Sequence, residues 1–182
     1  MSTLKVNSII PVAGVPTGGG GGIIQTVTAT HSTQVTQASN GSGSTQTTLT
    51  DTGLTASITP TSTSSKVLVM VEQHYGFDGD GDRQMHYNFV VRDASNNNLK
   101  GGVAVGGSAE GTLRYKNLQA WYGYYNCHFL HSPNTTSSFT YKVSMNLYVS
   151  YGGSSTMFAQ RNTNESRITL FEVSAWLLPC II

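Results

Sequence analysis

Charged side chains are scarce: only 10% of the 182 residues are Asp, Glu, Lys or Arg, against about 25% in an average soluble domain. Solubility must therefore rest on hydroxyl and amide side chains. The formal net charge is +1, and no cluster of Lys and Arg stands ready to displace phosphate counterions, which argues against a nucleic-acid partner. Cysteine is nearly absent. Cys127 and Cys180 make no Cys-x-x-Cys spacing and no disulfide framework, so free, buried thiols are expected. No run of about 18 apolar residues occurs, which excludes insertion as a membrane-spanning helix. Nor do the first fifteen residues carry the continuous apolar core of a secretory signal. Catalytic signatures are missing too: there is no Gly-x-Ser-x-Gly elbow and no His-Glu-x-x-His, and the glycine run Gly18 to Gly22 is not followed by Lys-Ser or Lys-Thr. The expectation is a protein that is not an enzyme, with no catalytic residues, no metal and no cofactor.

The chain is long enough for one domain and short for two. Its first stretch differs from the rest. Apolar Leu4, Val6, Ile9, Ile10 and Val12 are punctuated by Pro11 and Pro16 before the five glycines, which reads as an attachment arm and hinge over residues 1–22. From residue 23 to 182, alternating apolar and β-branched segments are separated by Gly, Asn, Ser and Pro clusters. Candidate strands fall at 24–30, 47–59, 67–75, 85–92, 99–105, 115–130, 139–150, 157–161 and 168–177. Eight or nine strands without helical periodicity predict an all-β fold: a two-sheet antiparallel sandwich, jelly-roll-like, with an extended N-terminal arm.

Period-two alternation sends Phe139, Tyr141, Val143, Met145 and Leu147 to one face of a half-buried strand. Val67 to Val71 is apolar on both faces, so that strand should lie between layers or against a neighbouring subunit. In Trp121-Tyr122-Gly123-Tyr124-Tyr125, Trp121 and Tyr125 share one face and Tyr122 and Tyr124 the other. One pair is expected in the core, and the other is a candidate for recognition of a glycan or for an interface. The terminal apolar stretch Trp176, Leu177, Leu178, Pro179, Cys180, Ile181 and Ile182 would be an aggregation hazard if exposed, and its burial between subunits predicts a homo-oligomer. Asp78-Gly79-Asp80-Gly81-Asp82 fails the calcium-loop pattern, because Arg83 stands at its sixth position and Phe89 at its twelfth. A solvated loop partly neutralised by Arg83 is expected there. His128 and His131 should point to opposite faces, while His74 and His86 could meet across a hairpin but lack a third ligand.

Three ordered segments carry a family likeness. They are Leu54-Thr55-Ala56-Ser57-Ile58-Thr59-Pro60 running on through Ser65-Lys66-Val67-Leu68-Val69, then Phe129-Leu130-His131-Ser132-Pro133-Asn134 running on through Phe139-Thr140-Tyr141-Lys142-Val143, and Ser166-Arg167-Ile168-Thr169-Leu170-Phe171-Glu172-Val173. Together with the opening Ser2-Thr3-Leu4-Lys5-Val6-Asn7, they resemble tail-fibre-like and other virion structural proteins of marine phages of the cyanophage type. His131 departs from the acidic residue usual before Ser132, and no coiled-coil shaft sequence is present. The resemblance implies a short appendage on the virion surface, made in the host bacterial cytoplasm. Its arm would dock to other virion proteins, a tail adaptor or the capsid, and its sandwich would face the host. It also implies a homo-oligomer, expected as a trimer. The alternatives are a capsid (head) decoration or fibre protein and a carbohydrate-binding module.

Overall fold

A computed structural model describes residues 22–39, 48–78, 84–102, 113–116, 120–151 and 155–174. Among these, the strands are β1 (Ile23–His31), β2 (Val35–Ala38), β3 (Thr50–Ile58), β4 (Lys66–Asp78), β5 (Gln84–Asp93), β6 (Asn98–Lys100), β7 (Leu113–Lys116), β8 (Ala120–His131), β9 (Phe139–Tyr151), β10 (Thr156–Ala159) and β11 (Ser166–Val173). The helical element among the described residues is a single 3₁₀ turn, Arg161–Thr163. No helix among them is long and apolar enough to cross a membrane.

The pairings nest. β1 lies antiparallel to β11, β2 to β10, β3 to β9, β4 to β8 and β5 to β7, so the chain is one long antiparallel hairpin with β6 at its tip. That hairpin is rolled. β4 pairs on its other side with β11 and β10, and β5 pairs with β9. The first sheet holds β8, β4, β11 and β1, with β10 and β2 beside the far half of β4, and the second holds β3, β9 and β5 with β6 and β7 on its margin. This is the jelly-roll sandwich expected from the strand pattern.

Alternation explains the core. Leu54, Ala56 and Ile58 of β3, Tyr141, Val143, Met145, Leu147 and Val149 of β9, and Ile168 and Leu170 of β11 point between the sheets and are buried. With them are Val67, Val69, Val71, Tyr75 and Phe77 of β4, which complete the first sheet's contribution beside β11, and Tyr87, Phe89 and Val91 of β5, which complete the second sheet's beside β3 and β9. Each such burial contributes about 1.5–3 kcal/mol. The two deepest tyrosines settle their polar tips on each other, with Tyr75 and Tyr87 hydroxyls 2.5 Å apart.

Several sequence expectations need correction. The run 115–130 is two strands, β7 in the second sheet and β8 in the first, because the chain changes sheets between them. β2 carries one large apolar side chain, Val35, too few to reveal it by periodicity. Only one side of the Val67–Val71 segment lies between the layers. Val67, Val69 and Val71 face the core, whereas Leu68 is half-buried and Met70 is 46% exposed on the outer face. The strand expected at 157–161 stops at Ala159. His74 and His86 do not meet, since they lie on strands of different sheets and point outward from both.

Candidate functional site

β8 is paired to β4 without interruption from Val67–His131 to Asp78–Ala120. This register fixes which aromatic residues face outward. Tyr125 turns inward and packs on Phe89, ring centroids 5.0 Å apart, so it belongs with the core. Tyr122 and Tyr124 are 45% and 50% exposed on the outer face. Trp121 lies on the strand, but its side chain is outside the described residues.

The outer row through Tyr122 has Gly76 at its centre and Phe158 on the far side. With no side chain on Gly76, a slot opens between the two rings. The guanidinium of Arg161 fills it, 5.0 Å from the Tyr122 centroid and 4.5 Å from that of Phe158. Such stacking is worth about 0.5–1 kcal/mol at an exposed site and more where water is excluded. The same guanidinium donates to the Phe77 carbonyl at 2.9 Å and pairs with Asp78 Oδ1 at 2.6 Å. Arg161 is delivered by a turn with left-handed residues on either side, Gln160 at φ 51° and Asn162 at φ 56°, a conformation that costs energy outside glycine. Below, the ring of His74 meets Tyr124 edge-on at 5.0 Å and lies roughly parallel to Tyr122 at 6.5 Å. Burial holds the His74 imidazole below its ordinary pKa, and its Nδ1 is buried without a partner, so the ring is neutral near pH 7.

Farther along the same face, Leu130 is 54% exposed beside Met70, with Leu68 and Phe171 half-buried next to them. A shallow groove of 270 Å³ runs here between Met70, Glu72, His128, Arg167 and Phe171. On the second sheet's outer face, Asp51 gathers Arg92, Lys142 at 2.9 Å and Ser144 at 2.6 Å. Burial alone would push the Asp51 carboxyl up, but hydrogen bonds from Ser144, Lys142 and Arg92, with the Arg92 charge, hold it below the usual carboxylate range. This network ties β3, β5 and β9 together. Among the described residues no group of three or more His, Cys, Asp and Glu could hold a metal ion.

No protein-family model matches the chain, and no curated protein matches it. Two solved structures from infectious bursal disease virus are similar in part. One is the structure of its Gx strain, at 8% identity and a TM-score of 0.35, covering 82% of this chain and 40% of that one. The other is the crystal structure of its VP2 subviral particle, at 10% identity and a TM-score of 0.31, covering 82% and 38%. The chain thus spans about 40% of the length of the first of these structures.

Of the residues singled out in the sequence, Tyr122 and Tyr124 come together on the outer face and Tyr125 separates from them. The arm residues Leu4, Val6, Ile9, Ile10 and Val12 and the terminal Trp176, Leu177, Leu178, Ile181 and Ile182 lie outside the described residues. Of the acidic loop only Asp78 is described, and it pairs with Arg161; the expectation for Arg83 falls outside the described residues. His128 and His131 do diverge: His128 is exposed, and His131 turns to within 2.9 Å of the Tyr141 hydroxyl. Cys127 is half-buried, and burial pushes its thiol up. Arg161 and Phe158 were not foreseen. Arg161 sits beyond the end of a short strand, where no periodicity marks its direction, and only Gly76 in an otherwise large-residue strand hints at a slot.

Proposed function

We propose that this protein is a non-enzymatic structural component of a bacteriophage virion, a short tail-fibre-like appendage on the particle surface. The arm of residues 1–22 docks it to a tail adaptor or capsid protein, and the sandwich is presented for host-surface contact. It assembles with copies of itself, as a homotrimer held partly by Trp176 to Ile182.

The observation that carries this reading is where the three resembling segments fall. Far apart in sequence, they are neighbours in the fold. Phe171, Leu68 and Leu130 form one row across β11, β4 and β8, while Ala56 faces Tyr141 across β3 and β9. The likeness thus falls on a contiguous part of both sheets, which supports reading the three segments together.

Cryo-microscopy of intact particles, with immunogold labelling against the sandwich, tests the reading. Label is expected at the particle surface, at the tail. A chain lacking residues 1–22 should be soluble, should melt cooperatively and should be absent from particles. Normal incorporation of that truncation would overturn the docking role, and label at the head would replace the appendage by a decoration protein.

A further inference from the structure

The geometry points to a neutral saccharide bound at the end of the first sheet's outer face, on Tyr122 and Tyr124 and against the Arg161–Asp78 pair. This deepens the host-contact reading and rests on it for its biological setting.

Two exposed rings stand two residues apart on one face, a spacing of roughly 7 Å. Both are held before any ligand arrives. Tyr122 shares the Arg161 guanidinium with Phe158, and Tyr124 is braced edge-on by the buried ring of His74. Rings fixed in this way lose little freedom on binding, which favours a weakly interacting partner. The polar groups beside them are equally fixed. Arg161 is tied to the Phe77 carbonyl and to Asp78 Oδ1, so the half-exposed carboxylate keeps its Oδ2 for an incoming hydroxyl donor.

Charge selects the ligand class. Among the described residues at this end of the face Arg161 and Asp78 cancel and His74 adds no charge, so they offer no net positive charge to a phosphate, an acidic polymer or a nucleic acid. An apolar protein surface would desolvate the Asp78 carboxylate without replacing its hydrogen bonds. A pyranose meets both demands, because its C–H face stacks on a tyrosine ring while its hydroxyls donate to Asp78 and accept from Arg161 and the tyrosine hydroxyls.

The test uses the purified full-length protein with dextran, yeast mannan and galactan as neutral probes and polygalacturonate as the acidic one. Saturation-transfer NMR should show contact with ring protons of at least one neutral polymer. Tyr122→Ser and Asp78→Ala should each weaken that binding about tenfold, with melting temperatures lowered by no more than a few degrees, whereas Leu130→Ser at the far end of the face should leave it intact. Absence of transfer from every neutral polymer, a preference for polygalacturonate, or full binding by Tyr122→Ser would overturn the proposal. So would a Tyr122→Ser protein that sediments as a smaller species with sugar binding unchanged, which would make the rings an interface between copies. Label on particles together with no sugar binding would sink this inference alone and leave the virion reading standing.

Discussion

Gly53 sits inside an irregularity of β3, where Thr52, Gly53 and Leu54 together face the single Val143 between the pairs Asp51–Ser144 and Thr55–Lys142. Its φ is +82°, and a Cβ there would come within 2.4 Å of the His31 imidazole, so both backbone and space require glycine. Thr52 stabilises the bulge by donating to the Val143 carbonyl at 3.0 Å. Gly53→Ala is expected to cost about 1–2 kcal/mol for the left-handed backbone alone, and more until His31 moves. Calorimetry should show a drop of roughly 2–4 °C per kcal/mol, partly recovered in the double variant with His31→Ala. Histidines at other sites set the pH response. Burial lowers the pKa of His74, and burial outweighs the nearby Asp93 charge to lower that of His131. A folded-state value below the unfolded one, about 6.5, means the unfolded chain binds more protons as pH falls, so stability is full above about 6.5 and declines below it. Asp51, with its lowered pKa, adds a further loss only when pH falls through its folded value, below the ordinary carboxylate range. The melting temperature should therefore be level from pH 8 to 7 and fall between 6.5 and 5, less steeply in His74→Gln. A flat profile over that interval would contradict the burial argument.

At the scale of elements, the instructive place is the fork in the first sheet. β11 pairs with β4 as far as Glu72, and β10 takes over from Tyr75, leaving the backbone at residues 73 and 74 without a strand partner on that side. Side chains and a turn replace the ladder. The His74 N–H donates to Ser166 Oγ at 2.9 Å, the Gln160 N–H donates to the His74 carbonyl at 3.1 Å, and Gln73 Nε2 donates to Ser166 Oγ at 2.9 Å. With its amide oxygen toward Gln73, Gln160 also accepts from Gln73 Nε2 at 2.9 Å and donates to the Thr52 carbonyl at 3.1 Å. Ser166→Ala strips an acceptor from two buried donors and should cost about 1–3 kcal/mol, read as a fall of several degrees in melting temperature. Thr169→Ala, which removes only an exposed 3.3 Å contact with Thr28, should stay within about 0.5 kcal/mol. The fork also marks how far the sequence could be read. The existence and faces of β3, β9 and β11 were legible because one side of each is buried and alternation follows directly. The class of fold followed from their number. The nesting of the pairs was not legible, since pairing joins residues far apart in the chain, as in Ile23 with Val173 and Val67 with His131. The change of sheet between β7 and β8 was hidden because residues 117–119 carry no glycine or proline to mark a turn. Within the candidate site the two outward tyrosines could be named from period two alone, but Arg161, Phe158 and the Asp51 network depend on tertiary neighbours that no local pattern announces.

For the whole molecule, the distribution of apolar surface decides the expected assembly. The large apolar side chains most exposed among the described residues are Ile23, Met70, Tyr122, Tyr124 and Leu130, and all but Ile23 lie on one outer face. Ile23, 62% exposed, pairs with Val173 at the end of β11, beside the point where the chain runs on into Trp176 to Ile182. The last described residue, Ser174, bonds to Gly22 next to this exposed apolar side chain. Burying several large side chains at roughly 1.5–3 kcal/mol each would stabilise an interface between copies, although ordering the segment offsets part of that gain. We therefore propose that the oligomer depends on this segment. Light scattering of the intact protein at micromolar concentration should give the mass of a trimer. Removing residues 178–182, or introducing Leu177→Asp with Ile181→Asp, should yield monomer or insoluble protein. Hydrogen exchange in β3, β5 and β9 should be unaltered in any soluble monomer, since the second sheet takes its stability from the core and from the Asp51 network. A monomer mass for the unmodified protein would refute the oligomer, and the terminal residues would then have to pack on their own domain.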